Sequence, residues 1–490
     1  MYDAILDEVP SITMTTLIRQ GCLKYMGSEA SAASNKAPAE TIDLPVVSED
    51  LLDDALQSSS EEDDVDPTPG DGWSSGRKSH SKLNMEGQRR ASPLEYFLFF
   101  LPQDHFHYVI GSTNAHARTV DATWRDITYN KYMMWLALLT VMTVVHHSDR
   151  KAYWKQGSSH FTMSVNFKQY MSYWRFEDIM RMHTFEVPSI ERKQADPLYQ
   201  IRSTIKIFNE HMARCVVPGK YLVIDESMHQ WLGERMPNLK KVPQKPHPIG
   251  QEFKTLADHH SYCILQMDTV SDPLPKEFDN DLDMKKLTAA VKQLVKPWIG
   301  SGRTVIADSW FGSPDMISML TSNNGLHYTM KKTTDDGGMF VCAYREKKVK
   351  AFVSSCGTTR LNDQRTFRNS DVQTSTAQRP EVVGEYETHK SSIIDAASNL
   401  RDNKISYHDI ISTDRWEMHY FGFFLGICEA NAFSAYRVFR DGSNTNHSAF
   451  KDSLTWSFLR HCKSLNNDIM EPALPAAILR AARSCNYHNY

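Results

Sequence analysis

Cysteine is scarce in this sequence and never closely paired. Eight Cys are scattered over 490 residues, at positions 22, 215, 263, 342, 356, 428, 462 and 485, and none forms a C-x-x-C. That argues against zinc modules and a disulfide scaffold, and it fits a reducing compartment. Long apolar runs are lacking too. The longest, Met133–Val145, contains two Thr and is too short to span a bilayer, so a buried helix is expected there and no membrane partner. Residues Met1–Ala30 lack a basic segment leading into a long apolar run, so no signal peptide is expected. Charge of one sign is not in large excess either: 55 Lys and Arg face 59 Asp and Glu.

What is present is enough apolar material for a core. Hydrophobic residues make up 41% and charged residues 23%, a globular balance, and the length suggests two or three domains. The charge is unevenly spread. Residues 1–90 hold 17 acids and 8 bases, leaving 42 acids and 47 bases for the rest. Glu49–Asp66 alone has nine acids and no base, a composition that cannot offset the entropy of ordering, so a disordered acidic tail is expected over 1–91. Ser58, Ser59 and Ser60 abut Glu61–Asp64 and are either phosphorylation sites or solvated tail. Arg77, Lys78, Lys82, Arg89 and Arg90 form a loose cluster that reads as a nuclear-import signal or as ordinary tail chemistry. An acidic tail on a mildly basic body suits a nucleic-acid partner.

Residues 92–218 read as helical. Pro93–Leu101 opens with Pro and a dense apolar face; Tyr129–Val145 and Val165–His183 follow, then a connection over Pro188–Pro197. Leu198–Cys215 carries Ile201, Ile205, Phe208 and Met212 on one stripe. The aromatics Tyr153, Trp154, Tyr173, Trp174 and Phe176 read as core.

From residue 219 the pattern becomes strand-like. Tyr221–Ile224 is a short β-prone run ending at Asp225 and Glu226, and Glu252–Ala257 and Ser261–Met267 complete a three-stranded meander. Asp225 either caps a turn, pairs with a Lys, or ligates a metal. His259 and His260 read as a polar turn, since neighbours on a strand face opposite ways. Met284–Ile299 reads as a helix, Thr304–Ala307 as a buried strand ending at Asp308, and Gly325–Lys331 as a last strand. Two strands, each closing on an Asp, can set two carboxylates side by side at a sheet edge, where open α/β sheets bind ligands. Met339–Tyr344 and Val349–Ser354 read as strands, and Thr358–Val383 as a polar loop, inside an insertion over 333–388. His389–Leu400 reads as a helix carrying Asp395, and Tyr420–Tyr436 as a helix apolar nearly all round.

The order D-E-S-M, then A-D-S-W-F-G-S-P, then I-I-D in a helix, then R-W and an apolar helix with N-A, resembles the piggyBac transposase family over roughly Ser92 to Phe439. The opening aromatic helix, Thr113-Asn114 and the Tyr-Trp pair are similar too. The resemblance implies an α/β fold: an RNase H-like mixed sheet with flanking helices. Its parts would be a helical dimerisation and DNA-binding domain over 92–218, the core over 219–332 and 389–440, and the insertion between them. Residues 441–490 would be a tail without the cysteine-rich zinc domain of several members, since Cys462 and Cys485 cannot build it alone.

The resemblance also implies DNA cleavage and strand transfer by two Mg²⁺ ions, or Mn²⁺, held by Asp225, Asp308 and Asp395, with Asp225 bridging. Two such ions activate the attacking oxygen and stabilise the leaving one, and Mg²⁺ prefers carboxylate oxygens. Glu226, facing away from Asp225 if the strand continues, is left out. Lys240, Lys241, Lys245, Lys331 and Lys332 are candidates for contacting the phosphates of double-stranded DNA, or else they are solvated surface. Trp310 would stack on an unpaired base or pack in the core. TTAA targets, a homodimer and a nuclear location follow by the same resemblance. Two readings stand: an active transposase, or a domesticated relative that binds DNA or chromatin without cutting.

Overall fold

The fold is built around one helix that is apolar on every side, seen here in a computed structural model. The structure describes residues 80–147, 149–155, 166–242, 248–279, 286–307, 340–345, 349–354, 360–361, 363–368, 374–389, 400–401, 406–411, 413–440 and 444–467.

Helix α1 (Pro93–Phe100) starts from a capping box. The Ser92 hydroxyl accepts from the Glu95 backbone N–H, and the Glu95 carboxylate accepts from the Ser92 N–H at 2.7 Å. Pro93 fits the first turn, whose N–H has no helical partner in any case. Helix α2 (Gln103–Val120) and helix α3 (Tyr129–Met142) follow, and every residue of α3 from Tyr132 onward is buried. The run expected as one helix over Val165–His183 is broken within its described part. A 3₁₀ turn covers Phe167–Gln169, and Ser172 then caps a new start, α4 (Tyr173–Met182), by accepting from the Arg175 N–H. The expected connection after Pro188 contains a short helix, α5 (Ile190–Ala195). Helix α6 (Tyr199–Cys215) buries Ile201, Phe208 and Met212, with Ile205 half-buried beside them. Of the five aromatics read as core, Tyr153, Trp154 and Phe176 are buried, but Trp174 is 73% exposed.

A small ladder joins β1 (Lys82–Leu83) to β2 (Val216–Val217). The main sheet comprises β3 (Tyr221–Gln230), β4 (Leu239–Lys241), β5 (Ile249–Asp258), β6 (Ile264–Thr269) and, after helix α7 (Lys286–Val295), β7 (Thr304–Ala307). β5 pairs antiparallel with β3 on one edge and with β4 and β6 on the other. β7 lies parallel to β3 on its far side. This is the RNase H-like mixed sheet: an antiparallel meander with a parallel strand added beside the first.

Two hairpins follow: β8 (Phe340–Arg345) with β9 (Val349–Ser354), and β10 (Asp363–Arg368) with β11 (Thr374–Arg379). The second hairpin corrects the expected loop over Thr358–Val383. Its Thr-rich strands satisfy each other's backbone. Helix α8 (Glu381–His389), α9 (Tyr407–Ile410), α10 (Trp416–Phe439) and α11 (His447–Asn467) complete the described chain.

α10 is buried from Tyr420 to Tyr436. Its Phe423 stacks on Phe253 of β5 at 5.3 Å, its Phe421 on Trp135 of α3 at 5.9 Å, and its Tyr436 meets Tyr96 of α1 at 5.4 Å. Sheet and N-terminal helices therefore share one core. α11 lies in the stretch read as a tail, yet Phe450, Leu454, Phe458 and Cys462 recur at helical spacing and are buried in that core. Among the described residues no helix is long and apolar enough to cross a membrane.

Candidate active site

Asp225 lies in the middle of β3, not at its end. The strand runs on for five residues because β5 pairs with it throughout, from Leu222 opposite Asp258 to Gln230 opposite Gly250. Alternation puts Val223, Asp225, Ser227 and His229 on one face of β3 and Ile224, Glu226 and Met228 on the other. Asp225 is 5% exposed. Its Oδ1 accepts from the Glu226 N–H at 2.7 Å, and its carbonyl accepts from the Thr255 hydroxyl at 3.0 Å.

The opposite face carries a chain of alternating charge. Lys254 of β5, nearly buried, sits across from Glu226 and joins it at 2.5 Å and Glu252 at 2.7 Å. Lys240 of β4 then caps Glu252 at 3.0 Å. Lys254 takes Glu226, whose side chain points away from Asp225 as strand continuation requires. Lys240 thus shares its charge with a carboxylate, while Lys241 on the same strand is exposed.

Asp308 and Asp395 lie outside the described residues, as do Lys245, Lys331, Lys332, Trp310 and the expected strand Gly325–Lys331. Their flanks are described. β7 pairs Tyr221 with Thr304 and Ile224 with Ala307, the residue before Asp308. The segment 390–399, which holds Asp395, is entered and left beside β3. On entry, His389 stacks on Tyr221 at 4.0 Å, and Glu385 of the same helix accepts from the Tyr221 hydroxyl at 2.7 Å. On exit, Arg401 is buried, with its guanidinium 4.6 Å over the Phe423 ring and its Nη2 donating to the Met228 carbonyl at 3.4 Å.

His259 and His260 form the polar turn expected between β5 and β6. Burial, helped by the nearby His389, pushes His259 down to about 4, and the Ser81 hydroxyl lies 2.7 Å from His260 Nδ1. The sequence reading missed a second histidine group. His229, on the face of Asp225, meets His408 and His419 at the end of β3. Burial pushes His229 well below its ordinary value, with His419 and Arg401 adding to it. Burial also takes His419 down to about 4 against the pull of Asp409. The one sequence signal for the group is that His229 stands four residues from Asp225, which is same-face spacing on a strand.

The family model described as Transposase IS4 matches residues 92–333. A solved structure, the cryo-EM structure of a piggyBac transposase synaptic complex with hairpin DNA, is similar with a TM-score of 0.58 and 20% identity. The match covers 81% of this chain and 86% of that one. No curated protein matches the sequence.

Proposed function

We propose that the chain is a transposase of the IS4/piggyBac type, metal-dependent and acting on DNA, whose acidic centre is Asp225, Asp308 and Asp395. The observation that carries this reading is the parallel register of β3 and β7. Ile224 lies beside Ala307, and each is followed in sequence by one of the aspartates. The third member is supported by its anchors. His389 and Arg401 each stand six residues from Asp395 in sequence, and they touch β3 at Tyr221 and Met228, on either side of Asp225.

The donor set fits the implied ions. Three carboxylates supply hard oxygen ligands, the kind Mg²⁺ or Mn²⁺ takes in preference to nitrogen or sulfur. When bound, such ions polarise the phosphodiester and lower the pKa of the attacking oxygen. The chain's own contribution is positional. β3 holds the Asp225 carboxylate against the Glu226 N–H, and its pairing on both edges with β5 and β7 keeps that carboxylate still. Lys241, exposed on β4, is suited to contacting phosphates without reading bases. Lys245, Lys331 and Lys332 are proposed for the same task, together with Lys240 where DNA competes with Glu252 for it. DNA as substrate, TTAA as target, a homodimer and action in the nucleus complete the proposal.

The test is plasmid DNA carrying candidate transposon ends, incubated with the purified chain and Mg²⁺ beside Asp225→Asn. Nicking by the wild type that the variant loses supports the reading. Ends that are bound but never nicked, with either Mg²⁺ or Mn²⁺, favour the non-cutting DNA-binding protein.

A further inference from the structure

Three histidines from three separate elements meet where β3 ends. His229 is the penultimate residue of β3, His408 lies in α9, and His419 is in the first turn of α10. One donor nitrogen from each ring can be chosen so that all three lie within 4.8 Å of one another. His229 Nε2 and His419 Nδ1 are 3.1 Å apart. The ring centroids are 4.5 Å apart for His408 and His419, 5.3 Å for His229 and His419, and 5.6 Å for His229 and His408.

The rings lie near-parallel, with 5° to 26° between their planes, so the nitrogens are close enough to share an ion once the rings turn about their Cβ–Cγ bonds to aim their lone pairs at it. With Zn–N near 2.0–2.1 Å, tetrahedral donors stand about 3.3 Å apart and their ring centroids about 5 Å apart. A second observation points the same way. His229 and Gln251, which face each other across β3 and β5, are both fully buried. His229 Nδ1 and both polar atoms of the Gln251 side chain are buried without meeting hydrogen-bond geometry, although the amide is close enough to influence the ring. With His229 Nε2 on the ion, Nδ1–H would face the Gln251 amide, and a metal-bound histidine is commonly oriented by such a partner on its other nitrogen.

We propose that His229, His408 and His419 form a Zn²⁺ site, separate from the acidic centre, that ties the end of β3 to α9 and α10. Three neutral nitrogen donors select Zn²⁺ over Mg²⁺ or Ca²⁺, which take oxygen. The fourth position is left for water or a nearby oxygen ligand. Charge around the site is mixed: Arg401 acts on His229 and Asp409 on His419, so one cation and one anion flank it. The site differs from the acidic centre in ligand type and in place. His229 is four residues from Asp225, or about 13 Å along an extended strand. Its effect is structural. It fixes α9 and α10, the helices that follow the Asp395 segment, to the strand that carries Asp225.

The experiment is Zn²⁺ retention. The full chain is stripped of metal, loaded with Zn²⁺, desalted and assayed by atomic emission, alongside Asp225→Asn and His408→Ala. The expected result is one Zn²⁺ per chain in the wild type and in Asp225→Asn, with affinity at least about tenfold lower in His408→Ala. Because His408→Ala could disturb packing, Co²⁺ is added to the wild type as a second readout. The visible bands of a four-coordinate nitrogen site are expected, and Zn²⁺ should displace them. Zn²⁺ that follows Asp225 rather than His408, or a wild type that retains none and gives no such bands, overturns the proposal. The site does not depend on DNA cleavage, so an inactive protein that still holds Zn²⁺ through His408 leaves it standing.

Discussion

Ile224 of β3 and Ala307 of β7 pair in parallel register, and an aspartate follows each of them in the chain. Parallel neighbours lie about 4.8 Å apart, so residues that continue such a pairing present their side chains to the same face. Asp225→Asn and Asp308→Asn are each expected to lower strand cleavage more than about a hundredfold, beyond what loss of an outer-shell partner costs. Binding of ends, read by gel shift, should stay within a few-fold of wild type.

Lys254 holds two carboxylates inside the sheet, Glu226 and Glu252. Removing it leaves both without their shared cation, so Lys254→Met is expected to cost about 3–5 kcal/mol in urea unfolding. Adding Glu226→Gln and Glu252→Gln to that variant should recover much of the loss. A single variant as stable as wild type would show that the chain of charge is immaterial.

Asn431 sits fully buried in α10 and clasps the start of β6. Its Oδ1 accepts from the Ile264 N–H at 2.8 Å and its Nδ2 donates to the Ile264 carbonyl at 2.9 Å. Asn431→Leu should cost about 2–4 kcal/mol, since it removes two bonds and buries a polar backbone unit against a hydrocarbon. Thermal or urea unfolding reads this directly.

Gly426 of α10 lies against Arg401, which leaves the Asp395 segment. A methyl group there would stand 2.6 Å from Arg401 Cγ. Gly426→Ala is therefore expected to cost about 1–3 kcal/mol. It should also lower cleavage more than it lowers DNA binding, because the displaced arginine anchors that segment to Met228.

His183 gives the fold a pH dependence. It is fully buried beside the Tyr132 hydroxyl at 2.9 Å; burial, helped by Arg415, pushes it down to about 3. The unfolded chain takes up a proton below about 6.5 that the folded chain refuses. Its contribution is complete above that pH and is lost as pH falls toward 3, by up to about 1.4 kcal/mol per pH unit. Urea unfolding between pH 7.5 and 5 should show falling stability, and a shallower slope in His183→Asn.

Much of this was legible in the chain itself. Thr304–Ala307 is a strand with those bounds, because three successive β-branched residues, Thr304, Val305 and Ile306, favour extended backbone. The all-round apolarity of Tyr420–Tyr436 gave away the central helix. The second half of β3 was hidden, because E-S-M-H-Q looks polar until Lys254 and Gln251 of β5 come alongside it. The β10–β11 hairpin was hidden for a like reason, being Thr-rich and paired mainly with itself. α11 keeps Phe450, Leu454 and Phe458 at helical spacing, but the polar residues between them make the stretch read as a tail. The histidine trio shows in the sequence only as the spacing of His229 from Asp225, since its members lie 179 and 11 residues apart and meet only through packing.

Convergence of the three acids is measured most directly by anomalous scattering from Mn²⁺ in crystals of the chain bound to DNA cut at a transposon end. Manganese peaks should lie about 2–2.6 Å from carboxylate oxygens of Asp225, Asp308 and Asp395 together. Peaks that leave any one of those carboxylates more than about 6 Å from every ion would contradict it.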